Sequence, residues 1–135
     1  MTLKDMSKLY YLKKLIERDT EKLARLEAKL QPGGMDMSGM PHSTSPGNAI
    51  ENITPIILDL CDRIRKERAQ YEAEERNLEM FIDTVEDPQI RLILAYRFVD
   101  LLSWMQVARK IGGQNTEDSV KKACYRFLKK SEKLS

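Results

Sequence analysis

Basic side chains are concentrated toward the C-terminal end of this chain of 135 residues. The segment from residue 88 onward carries ten Lys and Arg and four Asp and Glu, whereas residues 1–87 carry a net negative charge. The net charge of the whole chain, +2, does not show this difference. Ammonium and guanidinium groups bind phosphate oxygens, and a segregated basic end is typical of a protein that binds a polyanion. The alternative is chance clustering of charge on a solvated helix face.

Few residues of the chain are suited to catalysis or to metal binding. His42 is the single histidine, and Cys61 and Cys124 are the two cysteines. A three-ligand metal site or a nucleophile paired with a base cannot be built from these residues. The carboxylate pair Glu74-Glu75 lies within a heptad pattern and is more simply a solvated helix face. We therefore expect no enzyme activity, no metal and no cofactor.

The composition indicates a chain dominated by amphipathic helix, since 41% of its residues are hydrophobic and 33% are charged. No apolar run approaches the roughly 20 residues that a membrane span requires. The N-terminal stretch MTLKDMSKLYYLKK lacks the apolar core of a signal peptide. We expect a cytoplasmic protein of a bacterial host cell, with no membrane partner and with reduced thiols.

Three short helices are predicted after the helix-breaking pair Asp87-Pro88, and each has one apolar face at helical spacing. The faces consist of Ile90, Ile93, Leu94 and Phe98; then Trp104, Val107, Ala108 and Ile111; then Val120, Ala123, Phe127 and Leu128.

The starts of the second and third of these helices are marked by capping residues. Ser103 and Gln106 form the S-x-x-Q pattern of a capping box. Thr116 is a suitable N-cap for the last helix, and Glu117 and Asp118 lie favourably at its positive N-terminal pole. Both helix starts are thus predicted without any functional assumption.

The spacing of Ala108, Gly112 and Val120 is that of a helix-turn-helix. A small side chain such as Ala108 lets two helices cross closely, Gly112 can adopt the positive φ of a sharp reversal, and Val120 anchors the final helix in the core. The positions predicted to build this arrangement are Ser103, Trp104, Ala108, Gly112, Thr116 and Val120. In such folds the last helix enters the DNA major groove; a small helical bundle that binds no nucleic acid is the alternative.

The stretch ILAYRFVDLLSWMQVARKIGGQNTEDSVKKACYRFL resembles the fourth region of bacterial sigma factors. The matching elements are Arg97-Phe98, Leu102-Ser103-Trp104, the interval from Ala108 to Gly112, and the segment from Thr116 to Leu128. The whole chain is similar to small phage and prophage proteins of Gram-positive bacteria related to the ArpU/RinA late-transcription regulators, which share a Gly-Met-Pro loop, here Gly39-Met40-Pro41. The resemblance implies a DNA-binding regulator of transcription.

DNA contacts are expected on the exposed side of the last helix. Early positions of a recognition helix face base edges, and Lys and Arg farther along meet phosphates. The residues expected to bind DNA are Ser119, Lys121, Lys122, Arg126 and Lys129.

Residues 1–86 are predicted to form a long antiparallel helical hairpin that serves for assembly. A first helix from Leu3 to Leu30 and a second helix from Thr54-Pro55 follow an a/d heptad, in which Asp19, Glu67 and Glu74 are polar exceptions. The Gly- and Pro-rich segment 31–48 between them is either a functional loop or disordered. Self-association would cover the apolar residues outside the seam, which are Tyr10, Tyr11 and Leu15.

The fold class expected is therefore all-α, with the hairpin of residues 1–86 followed by a three-helix, sigma-like helix-turn-helix domain of residues 87–135. The function expected is a phage or prophage transcription regulator that binds double-stranded DNA as a homo-oligomer, preferably a dimer, and that also contacts host RNA polymerase. Two alternatives are a small terminase subunit that binds packaging DNA and an interaction protein that contacts RNA polymerase without binding DNA.

Overall fold

The computed structural model describes residues 1–30 and 46–134 and is all-α, as predicted; no strand occurs in these ranges. The elements in chain order are α1 (Leu3–Leu30), α2 (Pro46–Asp83), α3 (Pro88–Leu94), a π-helical turn (Ala95–Val99), α4 (Trp104–Ile111) and α5 (Glu117–Leu134). None of the described helices combines the length and the apolar character needed to cross a membrane. His42 and the Gly39-Met40-Pro41 segment lie outside the described residues.

Helix α1 has the bounds that the heptad pattern predicts. Its start is closed by a reciprocal cap, because the Asp5 amide donates to the Thr2 hydroxyl and the Thr2 amide donates to the Asp5 carboxylate, both at 3.1 Å. The Thr2 amide, together with the Thr2 hydroxyl that donates to the same carboxylate at 3.0 Å, holds the pKa of the Asp5 carboxyl below its ordinary value of 3.8.

The predicted start of α2 at Thr54-Pro55 is wrong. The helix begins at Pro46 and contains Pro55 in its interior, so the last residues assigned to the segment 31–48 are helical. The sequence interpretation placed Pro55 in the first turn, where its missing N–H costs nothing. In the structure the helix continues past Pro55, which has no N–H to donate to the preceding turn.

The junction between α2 and α3 is held by side chains that bond to the backbone. The Asp87 carboxylate accepts from the amides of Gln89 and Ile90, which confirms the predicted restart at Asp87-Pro88. The guanidinium of Arg91 donates to the carbonyl of Val85 through Nε at 3.1 Å and through Nη2 at 2.7 Å. Carbonyls near the end of α2 that lack helical partners are thereby satisfied.

The chain divides into two compact units. Unit 1 comprises Met1–Leu12 and Tyr71–Ser135, and unit 2 comprises Lys13–Gln70. The predicted division between residues 86 and 87, like the predicted antiparallel hairpin, stays a prediction.

Unit 1 has one hydrophobic core to which every one of its helical segments contributes. The core contains the apolar faces predicted for α3, α4 and α5, and it also includes residues from α1 and from the end of α2. Its buried members are Met6, Leu9, Leu78, Ile82, Val85, Ile90, Ile93, Leu94, Phe98, Trp104, Val107, Ala108, Val120, Cys124 and Leu128.

Few apolar side chains are buried in the described part of unit 2. Leu60 and Ile64 of α2 are buried, and the two polar heptad exceptions Asp19 and Glu67 are buried as well, with 4% and 8% of their surface exposed. The other apolar seam residues of α1 in this unit are half-buried. Charged groups therefore occupy positions where the heptad pattern would place apolar residues.

Candidate nucleic-acid interface

Helix α5 is anchored by an apolar stripe on one side. Val120, Cys124 and Leu128 recur every four residues and are buried, and Ala123 and Phe127 beside them are half-buried. Helices α3 and α4 pack against α5. This stripe determines which residues of α5 face solvent.

The turn between α4 and α5 depends on two glycines and one asparagine. Gly112 and Gly113 have φ values of 76° and 65°, a region that favours glycine. The Asn115 side-chain amide donates to the Gly112 carbonyl at 2.8 Å. The amide of Gln89 on α3 in turn donates to the Asn115 side-chain oxygen at 3.2 Å. The turn is thus tied both to the end of α4 and to α3.

Both predicted caps are present. The Gln106 amide donates to the Ser103 hydroxyl at 3.2 Å, and the Ser103 amide donates to the Gln106 side chain at 2.9 Å, which completes the capping box of α4. At α5 the Ser119 amide donates to the Thr116 hydroxyl at 3.1 Å, and the Thr116 amide donates to the Ser119 hydroxyl at 2.9 Å. The sequence predicted Thr116 as the N-cap of α5, and the return hydrogen bond to the Ser119 hydroxyl is an additional finding.

The residues predicted to allow a close helix crossing are in the expected environments. Ala108 is buried, the Gly112 amide donates to the Ala108 carbonyl at 3.0 Å, and Val120 is fully buried. Trp104 is buried in the same core. The assignment of these elements as a helix-turn-helix stays a prediction that these observations favour.

Four basic residues predicted to bind DNA are exposed on α5. Lys121, Arg126 and Lys129 have no ion-pair partner within residues 1–30 and 46–134. Lys122 forms an ion pair with Asp118, with 3.1 Å between Nζ and Oδ2. A phosphate would therefore have to compete with Asp118 for Lys122.

Ser119 is differently placed from these cations. Its hydroxyl accepts from the Thr116 amide and donates to the Thr116 carbonyl at 3.0 Å, so its one proton is already used. A base contact in which Ser119 donates would break this bond at the start of α5. Ser119 thus serves as a capping residue in this structure.

A cluster around Trp104 contains contacts that the sequence did not reveal. The Trp104 ring packs edge-on against Phe98 and Tyr125, with centroids 6.4 Å and 5.9 Å apart. The Arg97 guanidinium lies 4.6 Å from the Trp104 ring centroid and donates to the Leu102 carbonyl at 3.0 Å. Arg97 is therefore a structural link between α4 and the preceding turn.

The π-helical turn that carries Arg97 ends in an unusual backbone conformation. The Asp100 amide donates to the Ala95 carbonyl, and the Leu102 amide donates to the Tyr96 carbonyl. Leu101 has a φ of 59°, which is rare for a residue with a side chain. This conformation redirects the chain between Arg97 and the start of α4 at Ser103. No local sequence signal, such as glycine, marks it.

A cleft of about 480 Å³ lies in unit 1 between the start of α1 and the start of α4. Its lining includes Tyr10, Tyr11, Arg97, Leu101 and Ser103. The rings of Tyr10 and Tyr11 meet edge-on at 5.3 Å, and Tyr11 is 68% exposed. The cleft thus offers aromatic surface beside one guanidinium group and several hydroxyl groups.

The thiol of Cys124 is buried on the inner side of α5. Burial raises the pKa of the Cys124 thiol to about 12, against a lowering effect of Arg97, so the thiol stays neutral. No cluster of three or more His, Cys, Asp or Glu that could hold a metal ion occurs in the described part of the chain.

Comparison with known proteins yields no matching family model, no matching curated protein and no matching solved structure.

Proposed function

We propose that this protein is a phage or prophage transcription regulator that binds duplex DNA through the exposed face of α5. The observation that carries the proposal is the two-sided character of this helix. Its buried stripe anchors it to α3 and α4, and its opposite side presents Lys121, Arg126 and Lys129 to solvent without ion-pair partners among the described residues. Groups of this kind release condensed counterions when they bind phosphates, which favours association with DNA.

The first turn of α5 has a different charge from the remainder of the helix. Glu117 and Asp118 stabilise the helix through its N-terminal dipole but would repel phosphates. We therefore assign phosphate binding to Lys121, Arg126 and Lys129, and we assign to Lys122 a contact that requires release from Asp118. Since the Ser119 hydroxyl is used in the cap, direct base contacts are left to the long basic side chains.

The test is a charge reversal on α5 with a matched control on α1. Lys121→Glu combined with Arg126→Glu should weaken binding to a fluorescein-labelled, mixed-sequence duplex in fluorescence anisotropy titrations. Because each phosphate contact contributes roughly 0.9 to the slope of log affinity against log salt, the slope should become shallower by about 2. Circular dichroism should show unchanged helicity, since both side chains are exposed.

The control variant is Lys13→Glu combined with Arg25→Glu, which changes the charge of the chain by the same amount at exposed positions of α1. Its salt slope should equal that of the wild type. Equal losses in both double variants would reduce the binding to general charge attraction. Absence of duplex binding by the wild type, even at low salt, would contradict the DNA-binding proposal.

A second candidate is a protein that contacts RNA polymerase or another protein without binding DNA. The cleft beside the exposed Tyr11 ring favours it, because tyrosine is enriched at protein interfaces. Capture of purified RNA polymerase by a chain that binds no duplex would support this candidate.

Self-association is part of the main proposal and is supported by exposed apolar residues in unit 2. Leu15, Ile56 and Leu58 are each more than two-fifths exposed, and covering them would be favourable. Sedimentation equilibrium separates the regulator from the small terminase subunit: we expect a dimer, whereas a ring of many subunits would favour the terminase.

A further inference from the structure

Two carboxyl groups face each other inside unit 2, one from each helix. Asp19 lies at a seam position of α1, and Glu67 lies on the face of α2 that also carries Leu60 and Ile64. Arg63, one helical turn before Glu67 on α2, reaches the carboxyl of Asp19, which places the two carboxyl groups side by side across the seam. Pairs of like charges in a buried seam are unfavourable because little water is present to solvate them.

One cation partly offsets this charge. The nearest nitrogen of Arg63 lies 4.0 Å from Oδ1 of Asp19, and the Arg63 side chain is 57% exposed. Asp19 from α1 and Arg63 from α2 are the charged groups that act on Glu67. Because the Arg63 guanidinium is at the limit of ion-pair distance and is screened by solvent, it neutralises the Asp19 carboxylate incompletely. Glu67 has no ion-pair partner among the described residues.

The hydrogen bonding of the pair is incomplete by one donor. Oδ2 of Asp19 and Oε1 of Glu67 are buried, and neither has a hydrogen-bond partner within the described residues. Two carboxylates can only accept, whereas a protonated carboxyl donates one hydrogen bond. A single proton shared between Asp19 and Glu67 would supply the missing donor and remove one negative charge.

We propose that the Asp19–Glu67 pair makes the packing of α1 against α2 in unit 2 dependent on proton uptake. With one proton bound, the pair carries a single negative charge opposite the Arg63 guanidinium, and one carboxyl donates a hydrogen bond to the other. When the proton leaves, two buried carboxylates repel each other and unit 2 opens more readily. Unit 1 contains no part of this pair.

The direction of the effect follows from the titration of Glu67. Burial and the neighbouring Asp19 raise the pKa of the Glu67 carboxyl above its ordinary value of 4.5. A group with a raised pKa in the folded state stabilises the fold below the pKa of the unfolded chain, and this contribution is lost as the pH rises through the folded value. Unit 2 should therefore be most stable in mildly acidic solution and should loosen toward alkaline pH.

The experiment is hydrogen–deuterium exchange of the full chain followed by mass spectrometry between about pH 5 and about pH 8, with protection factors corrected for intrinsic exchange at each pH. In the wild type, protection of peptides from 13–30 and 52–70 should fall with rising pH, by at most about tenfold per pH unit for one proton. Peptides from 87–128 should show no such fall.

Glu67→Gln and Asp19→Asn each replace one carboxyl by an amide that can donate to the remaining carboxylate. Glu67→Gln should abolish the pH dependence, Asp19→Asn should weaken it because Glu67 stays buried, and both should raise the protection of unit 2 at the alkaline end. Glu21→Gln and Asp59→Asn remove the same charge at exposed positions of α1 and α2, so they should retain the wild-type dependence.

Constant protection of unit 2 in the wild type across this pH range would overturn the proposal. So would equal effects of Glu67→Gln and Glu21→Gln. If Glu67→Gln fails to fold, Asp19→Asn decides the matter, since a folded Asp19→Asn protein with wild-type pH dependence also overturns it.

Discussion

Replacement of Arg97 by methionine should lower the stability of unit 1 without removing a contact to DNA. The guanidinium of Arg97 donates to the Leu102 carbonyl at 3.0 Å and lies 4.6 Å from the centroid of the Trp104 ring. Methionine keeps much of the apolar stem but can form neither interaction. The chain would lose one hydrogen bond from a charged donor and one cation–π contact.

The expected loss can be worked out from these two contacts. A hydrogen bond to a charged group contributes about 1.5–3 kcal/mol, and a cation–π contact at a partly exposed site contributes about 0.5–1 kcal/mol. Because the two interactions share one side chain, their contributions are not strictly additive, and we expect a total of about 2 kcal/mol. For a unit of this size, the melting temperature should fall by roughly 8–16 °C.

Trp104 is the single tryptophan of the chain, so its fluorescence reports directly on this cluster during thermal unfolding. Arg109→Met is the matched control, since Arg109 is an exposed arginine on α4 and its loss should change stability by no more than about 0.5 kcal/mol. If Arg97→Met melts like the wild type but binds duplex DNA more weakly, the structural role of Arg97 is refuted and a phosphate contact is favoured instead.

Two further predictions concern unit 1. The Cys124 thiol, whose pKa is raised to about 12, should resist maleimide in the folded protein while the half-buried Cys61 reacts; peptide mass spectrometry measures the labelling, and equal labelling of the two cysteines would contradict this prediction. Because an unfolded thiol ionises near 9.0, the stability of the fold should also fall as the pH rises from 9.0 toward about 12, which melting at each pH measures. A fragment of residues 87–135 lacks core residues such as Met6 and Leu9 and should melt well below the full chain in circular dichroism; an unchanged melting temperature would show that residues 87–135 fold independently, as the predicted division implies.

The features that were predicted well from the sequence are those produced by short-range interactions. The bounds of α1 follow from its periodic apolar residues, and the starts of α4 and α5 follow from Ser103 and Thr116, whose hydrogen bonds join residues three positions apart. Exposure of Lys121 and Arg126 follows from the same periodicity, because the buried stripe of α5 leaves them on the opposite side. Local chemistry is sufficient in each case.

Pro55 shows where local chemistry misleads. A threonine followed by proline is a good helix start, and the sequence alone favours beginning α2 there. The structure instead continues the helix from Pro46 through this position. A single residue's preference, which is worth a few kcal/mol at most, was overruled by the longer segment in which it lies.

The remaining features depend on partners that are distant in sequence. In the sequence, Arg97 stands out only as part of the sigma-like resemblance, and its contact with Trp104 beside the π-helical turn becomes visible only in the tertiary structure. In the same way, Asp19 and Glu67 are two unconnected exceptions in two heptad patterns until α1 and α2 place them together. Helical periodicity determines which side of a helix is buried. Which residue of a neighbouring helix that side contacts depends on the register between the helices and on chain reversals. The reversal at Leu101, with its positive φ, has no local signal in the sequence. The sequence by itself therefore determined the all-α class, the caps and the basic face of α5, whereas tertiary packing decided which charged groups remain in solvent and which are enclosed.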